Sequence, residues 1–144
     1  MKLIPLKQWI CDSCGEIIEK PEDAWFEWYL DRNTSSETGF RIVHANRISC
    51  RYDDSQLEQQ NKSPLDLPFS TVTWPDGLGA LLYLTEHTSF ADIKEFIDIV
   101  RRLHIPYYEE ARQYWKQAEK DGLLDGSEYT IKALLAIINR YGER

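Results

Sequence analysis

A membrane-spanning helix needs about 20 consecutive apolar residues, and the sequence lacks a segment of that kind. Its first residues, Met1 to Lys7, are too short and too interrupted to supply the apolar core of a signal peptide. We therefore expect a cytoplasmic protein that does not contact a membrane. The length of 144 residues suffices for one domain, or for two small domains that share an interface.

The sequence also lacks an excess of positive charge. It has 17 Lys and Arg against 24 Asp and Glu, which gives a net charge of -7. The imbalance is spread along the chain, with -4 up to Trp74 and -3 from Pro75 onward. Proteins that bind nucleic acids usually carry a basic patch or a basic half. The net charge therefore disfavours nucleic-acid binding, although an acidic protein can still carry a local basic patch.

Cysteine is scarce, with three in the whole chain. An odd number fits poorly with a disulfide framework, and thiols in a protein that is not exported should stay reduced. Cys11, Cys14 and Gly15 form a CxxCG turn, and His44 and Cys50 follow at about the distance that a β-hairpin spans. Thiolate and imidazole ligands in this pattern are typical of a closed structural zinc site. We therefore predict Zn²⁺ bound by Cys11, Cys14, His44 and Cys50.

The pattern of a CxxCG turn followed by His44 and Cys50 resembles the zinc-ribbon and treble-clef class, over about the first third of the chain. That resemblance implies a scaffold and no particular activity. The interval between His44 and Cys50 is longer than in common zinc fingers, so the identity of the fourth ligand stays open. The simpler alternative is that Cys11 and Cys14 bind nothing tightly and that Cys50 is a small core residue.

Two catalytic uses of these residues are disfavoured. A thioredoxin-type CxxC needs a βαβ setting with its first cysteine at a helix N-terminus, whereas here Gly15 and two isoleucines follow. A metal-dependent nuclease built on His44 and Asn46 would need further metal-binding or basic residues nearby. We also find no Gly-rich phosphate loop, no serine-nucleophile motif and no paired carboxylates at a recognisable spacing. An enzyme is therefore disfavoured, and activity in a cleft between the two halves stays open.

Aromatic and β-branched residues predict a hairpin after the CxxCG turn. Residues 24–30 are dense in aromatic side chains and form the first strand, and residues 40–44 form its partner after a loop at 32–39. The wholly apolar face of the first strand should point inward; it carries Phe26, Trp28 and Leu30. His44 then arrives at a strand end, where it can meet the cysteine turn.

The segment that follows is polar. We predict a surface loop over residues 51–68 with a short helix near 55–60, and a last strand over residues 69–74. The Pro-Asp-Gly sequence at 75–77 is the best internal boundary. From there the apolar period becomes helical and predicts four helices, which begin near Asp76, Ser89, Pro106 and Ser127.

We therefore predict an α+β protein with two parts. Residues 1–75 form a zinc-binding β-rich domain built on a zinc-knuckle hairpin, and residues 76–144 form a helical domain that is a bundle of about four helices. Glu109, Glu110 and Arg112 should lie on an exposed helix face.

The predicted function is that of a protein-binding adaptor, in which zinc is structural and an aromatic or leucine-rich helical surface contacts another protein. The alternative is a small nucleic-acid-binding regulator. It would use the basic cluster Arg41, Arg47 and Arg51, or a helix-turn-helix within residues 89–122. A simpler interpretation of that cluster is that its arginines offset the negative charge of three thiolates. The sequence does not predict an oligomeric state.

Overall fold

The computed structural model describes residues 1–142 and has a mixed α+β fold. Strands β1 (Trp9–Ile10) and β2 (Ile17–Ile18) form a small antiparallel hairpin around the CxxCG turn. A second, three-stranded antiparallel sheet has β3 at its centre, and its strands are β3 (Ala24–Asp31), β4 (Ser36–His44) and β5 (Lys62–Leu67). The helices are α1 (Asp54–Gln59), α2 (Leu78–His87), α3 (Ile93–His104), α4 (Tyr108–Ala111), α5 (Trp115–Lys120) and α6 (Ile131–Tyr141).

The predicted aromatic hairpin is confirmed as β3 and β4. Phe26 and Trp28 are buried, as expected, and the Trp28 ring stacks on Phe40 with 5.3 Å between the ring centroids. The loop is shorter than predicted, because β4 already begins at Ser36. Gly39 lies within β4 at a φ of +74°, and a Cβ atom there would collide with the Tyr29 ring. Gly39 therefore allows the strand to bend at a position that the sequence predicted to lie in a loop.

The strand predicted at residues 69–74 is wrong. Phe69–Thr71 is a 3-10 turn, and the third strand is β5, inside the segment predicted to be a surface loop. Phe69 and Val72 are both buried, and a spacing of three brings them to the same side of a 3-10 turn. β5 lies at the edge of the sheet, where Pro64 is tolerated despite its missing N–H group.

The helical regions are confirmed, but several boundaries differ. Asp92 rather than Ser89 caps α3, since its Oδ1 accepts the Lys94 N–H at 3.0 Å. The Ser89 carbonyl instead accepts the Glu37 N–H at 2.8 Å, which extends the edge of the sheet. The predicted third helix is interrupted by a 3-10 turn at Arg112–Tyr114, between α4 and α5. Thr130 rather than Ser127 caps α6.

Two hydrophobic cores organise the described residues. The first lies between the larger sheet and helices α2 and α3; it includes Phe26, Ile42, Leu81, Phe96 and Leu103. The second lies among α4, α5 and α6; it includes Tyr108, Ala111, Ala118, Leu134 and Ile137. Helices α2 and α3 thus share a core with the sheet, and the division of the chain at residue 75 stays a prediction.

Among residues 1–142, none of the helices is both long enough and apolar enough to cross a bilayer.

Candidate metal centre

The hairpin of β1 and β2 positions two of the four predicted ligands. Cys11 directly follows β1, and Cys14 lies three residues later in the tight turn. Gly15 takes a φ of +77°, which glycine adopts readily, and its N–H donates to the Cys11 carbonyl at 3.0 Å. The Ser13 N–H points at the Cys11 Sγ, 3.4 Å away. The turn therefore directs backbone N–H groups at the Cys11 sulfur.

The end of β4 and the turn after it supply the other two ligands. His44 is the last residue of β4 and pairs with Ala24 of β3. Cys50 ends a 3-10 turn, Ile48–Cys50, and its N–H donates to the Arg47 carbonyl at 2.9 Å. The candidate ligands thus come from two separate strand ends, as the hairpin prediction required.

The structure brings all four predicted ligands together. The Sγ atoms of Cys11, Cys14 and Cys50 and a ring nitrogen of His44 lie within 4.8 Å of one another. The His44 Nδ1 lies 3.5 Å from the Cys14 Sγ and 4.0 Å from the Cys50 Sγ. A tetrahedral zinc ion with its usual bond lengths separates sulfur and nitrogen ligands by about 3.6 Å. The cluster can therefore hold a metal ion with small adjustments of its side chains.

A carbonyl group orients the His44 ring toward the sulfurs. Its Nε2 lies 3.2 Å from the Ile17 carbonyl oxygen, so a proton on Nε2 donates there and the lone pair of Nδ1 faces the sulfurs. The ring is 3 % exposed, which fixes this orientation within the core. A histidine that ligates a metal commonly donates its other N–H to such an acceptor, because this fixes both the tautomer and the ring angle.

The thiols differ in how readily they lose a proton. Burial acts to raise the pKa of Cys11, but the N–H groups of Cys14, Ser13 and His44 outweigh burial and lower that pKa to about 6. Burial, together with hydrogen bonds to the sulfurs of Cys14 and Cys11, raises the pKa of Cys50 to about 11. The turn therefore favours the thiolate form of Cys11, whereas burial favours the protonated form of Cys50.

Two of the three arginines in the predicted basic cluster contact the ligands. Arg41 forms an ion pair with the buried Glu27 at 2.7 Å and donates to the Cys50 carbonyl at 2.9 Å. Arg47 forms an ion pair with Glu16, and its Nη1 lies 3.6 Å from the Cys14 Sγ. Arg41 thus holds the backbone of Cys50, and the Arg47 guanidinium lies beside the sulfur of Cys14.

The third arginine of the cluster lies apart from the sulfurs. The Arg51 guanidinium stacks over the Trp25 ring, 3.9 Å from its centroid. A surface cleft of about 780 Å³ runs beside Arg41 and Arg51, and its wall also carries Asp53 and Asp54. The structure therefore surrounds these arginines with acidic and aromatic partners.

The residues that connect the turn of Cys11 to Cys14, here called the metal turn, to the helices were not predicted from the sequence. Arg102 of α3 is 2 % exposed, and its guanidinium contacts Asp12 at 2.7 Å and Glu109 of α4 at 2.7 Å. The expectation that Glu109 and Glu110 lie on an exposed face is wrong, because both are buried. Arg102 follows the buried Ile99 by three residues and so lies at the edge of the apolar stripe, but the sequence carries no signal for the acidic partners that accompany its burial.

Neither a protein-family model, nor a curated protein, nor a solved structure matches this chain. The similarity to the zinc-ribbon and treble-clef class therefore stays a prediction. The structure itself supports a coarser statement: a mixed α+β fold brings three cysteines and one histidine into a cluster that can hold a metal ion.

Proposed function

We propose that Cys11, Cys14, His44 and Cys50 bind one structural Zn²⁺ ion. The observation that carries this proposal is the convergence of their four donor atoms within 4.8 Å. Soft thiolates combined with imidazole suit zinc far better than the oxygen-preferring Mg²⁺ or Ca²⁺. Four protein ligands fill a tetrahedral shell and leave no position for a reactive water. Binding needs reduced cysteines, so we place the protein in a reducing compartment, the cytoplasm.

Cobalt substitution tests the proposed ligand set. Co²⁺ added to the metal-free protein should give the intense d–d bands of a tetrahedral site together with thiolate-to-cobalt charge-transfer absorption. Cys14→Ser should abolish the charge-transfer band, because we expect this variant to lose the metal. Ser13→Ala, in the same turn, should leave the spectrum unchanged. A six-coordinate cobalt spectrum without charge transfer would contradict the proposal.

The second part of the proposal is that this zinc-containing protein binds another protein through helices α2 and α3. Trp74 and Leu82 are 59 % and 52 % exposed. Leu78 and Leu82 lie one turn apart on α2, as do Ile93 and Ile97 on α3, and all four side chains are exposed. We call these five residues the α2–α3 surface. Exposed clusters of large apolar side chains are typical of interaction sites.

The charges beside the α2–α3 surface favour one kind of partner. Residues 77–85 carry no formal charge. Beside the surface, Asp76, Glu86 and Asp92 are exposed and acidic while Lys94 is exposed and basic, so acidic side chains predominate. A second copy of this chain would bring these like charges together in a protein of net charge -7. We propose that the occupant is an amphipathic helix of another protein, apolar on one face and basic along its edges.

A designed helix tests this docking proposal. A peptide with leucine on one face and lysine along its edges should bind in calorimetry, and its counterpart with glutamate edges should not. Leu82→Glu should weaken binding at least about tenfold, because it places a charge in the apolar contact. Ile131→Glu, at a similarly exposed residue of α6, is the matched control.

Two outcomes would contradict the docking proposal. One is that neither peptide binds, or that Leu82→Glu binds as well as the wild type does. The other is a concentration-dependent dimer in sedimentation that Leu82→Glu dissociates, which would assign the α2–α3 surface to a second copy.

The alternative, nucleic-acid binding, has weaker support. Arg41 and Arg47 form ion pairs with Glu27 and Glu16, and Arg51 stacks on an aromatic ring. Within the predicted helix-turn-helix region, α4 has four residues and the Arg102 side chain is buried. A gel shift with DNA or RNA at low salt would revive this alternative, and no shift there would count against it.

A further inference from the structure

We propose that Asp12, Arg102 and Glu109 are positioning residues of the metal site, which couple metal binding to the packing of α3 and α4. This inference rests on the proposed metal site and goes beyond its four ligands. It assigns to the buried ion network a role in holding the turn that carries Cys11 and Cys14.

Asp12 fastens the metal turn at two points. It lies between Cys11 and Cys14, and its N–H donates to the Ile42 carbonyl at 2.9 Å. Its Oδ2 accepts the Ile42 N–H at 2.8 Å and also accepts from the Arg102 Nη1 at 2.7 Å. One carboxylate therefore holds the turn against β4 and against α3 at the same time.

Arg102 and Glu109 hold the residue before the first ligand. Their side chains form a two-pronged ion pair, with Nε to Oε1 at 2.7 Å and Nη2 to Oε2 at 2.9 Å. The Ile10 N–H donates to Glu109 Oε2 at 3.0 Å, and the Ile10 carbonyl accepts from Arg102 Nη2 at 3.1 Å. Both backbone groups of Ile10 are thus fixed by the network, and Ile10 directly precedes Cys11.

The buried position of the network makes the coupling energetically significant. Arg102 is 2 % exposed and Glu109 is 6 % exposed, so water cannot easily replace a partner that moves away. When a metal ion binds Cys11 and Cys14, it holds the Asp12 carboxylate and the Ile10 carbonyl where both accept hydrogen bonds from Arg102. If the turn opens, the buried Arg102 guanidinium loses one of its two acidic partners and Glu109 loses the Ile10 N–H, so the ion pair that joins α3 to α4 loses its support from the turn.

Thermodynamic linkage makes this coupling reciprocal. If metal binding stabilises the junction of α3 and α4, an intact junction must raise metal affinity by the same factor. Residues that orient metal ligands through hydrogen bonds typically change metal affinity by about 10- to 100-fold when they are altered. The effect of the network can therefore be measured as a change in zinc affinity and as a change in the stability of the α3–α4 junction.

The first experiment measures zinc affinity by competition with a chelator. Asp12→Asn keeps an acceptor for the Ile42 N–H but removes the charge that faces Arg102, so we expect affinity to fall by about 10-fold or more. Glu16→Gln is the matched control, because it removes the exposed ion pair with Arg47 beside the same turn, and its affinity should stay within about twofold.

The second experiment measures hydrogen exchange of the zinc-loaded proteins, which does not depend on a folded metal-free form. Asp12→Asn should exchange faster than wild type in residues 9–18 and 99–111. Helix α6 carries none of the network residues, so its exchange should be unchanged and reports on global unfolding.

The outcomes separate this inference from the proposed function. If wild type binds no zinc, the metal site itself is wrong. If wild type binds one zinc and Asp12→Asn binds it with wild-type affinity, the coupling is wrong while the metal site stands. Lower thermal stability of Asp12→Asn with unchanged zinc affinity and unchanged exchange in residues 99–111 would also overturn the coupling.

Discussion

The metal turn and the C-terminal helices are held together by different means. Strands β1 and β2 have two residues each, and a two-stranded hairpin of that size is not stable by itself in water. Helices α4 to α6 instead enclose an apolar core that includes Ala118 and Leu134, both fully buried. The small hairpin therefore depends on contacts from outside itself, which are the core around Trp9 and Ile18 and the metal ion that we propose, whereas the C-terminal helices enclose an apolar core of their own.

The junction between these two regions is ionic and buried rather than apolar. Arg102 receives contacts from Asp12 in the metal turn and from Glu109 in α4. Such an arrangement adds little net stability when it is complete, but the removal of one partner is costly. A displacement of the metal turn should therefore disturb the packing of α4, and a displacement of α4 should disturb the metal turn.

The largest expected effect comes from removing a ligand. Cys14→Ser or Cys50→Ser should lose zinc and unfold the N-terminal half, while the C-terminal helices persist. Structural zinc contributes about 10–16 kcal/mol in zinc fingers, which matches or exceeds the whole stability of a typical domain. Residue-resolved NMR of each variant, compared with Ser49→Ala beside Cys50, measures this directly. Full zinc content and unchanged stability in Cys50→Ser would show that this ligand is wrongly assigned.

A cavity in the C-terminal core should lower the free energy of unfolding by a smaller amount and should leave the zinc bound. Leu134→Ala removes a fully buried side chain from α6 and should cost about 2–5 kcal/mol in the free energy of unfolding. Zinc content should stay at the wild-type level, because this core is separate from the ligands. Ile131→Ala, at a half-exposed residue of the same helix, is the control. Loss of zinc in Leu134→Ala would remove the distinction between the two regions.

The smallest effect should come from the start of α6. Thr130 Oγ1 accepts the Ala133 N–H at 3.2 Å, so Thr130→Ala should cost about 1 kcal/mol in urea denaturation. Ser127→Ala should cost less, because the Ser127 hydroxyl contacts Asp125 in the preceding loop and does not cap the helix. An equal or larger cost for Ser127→Ala would restore the helix start that the sequence suggested.

The sequence was most informative where the information is local. Cys11 and Cys14 are placed by a turn of fixed geometry, and the period of α3 marks its buried residues Phe96, Ile99 and Leu103. The approach of His44 and Cys50 to that turn was predicted by placing the end of a strand next to it. These features were predicted because residue type and spacing determine them.

The features that were missed depend on tertiary contacts. β5 contains a proline and several polar residues, and it is a strand because β3 pairs with it along one edge. Arg102 and Glu109 have the composition of an exposed helix face, and they are buried because the metal turn packs over them. Spacing along one segment cannot encode a partner that lies about 90 residues away in the chain.

The metal content of the purified protein is the most direct test of whether Cys11, Cys14, His44 and Cys50 bind a zinc ion. Elemental analysis of the purified wild type, His44→Ala and Cys50→Ser separates the proposed ligand set from an accidental cluster. The account predicts one zinc per chain in wild type and its loss in both variants. No zinc in wild type, or the same zinc content in all three proteins, would contradict it.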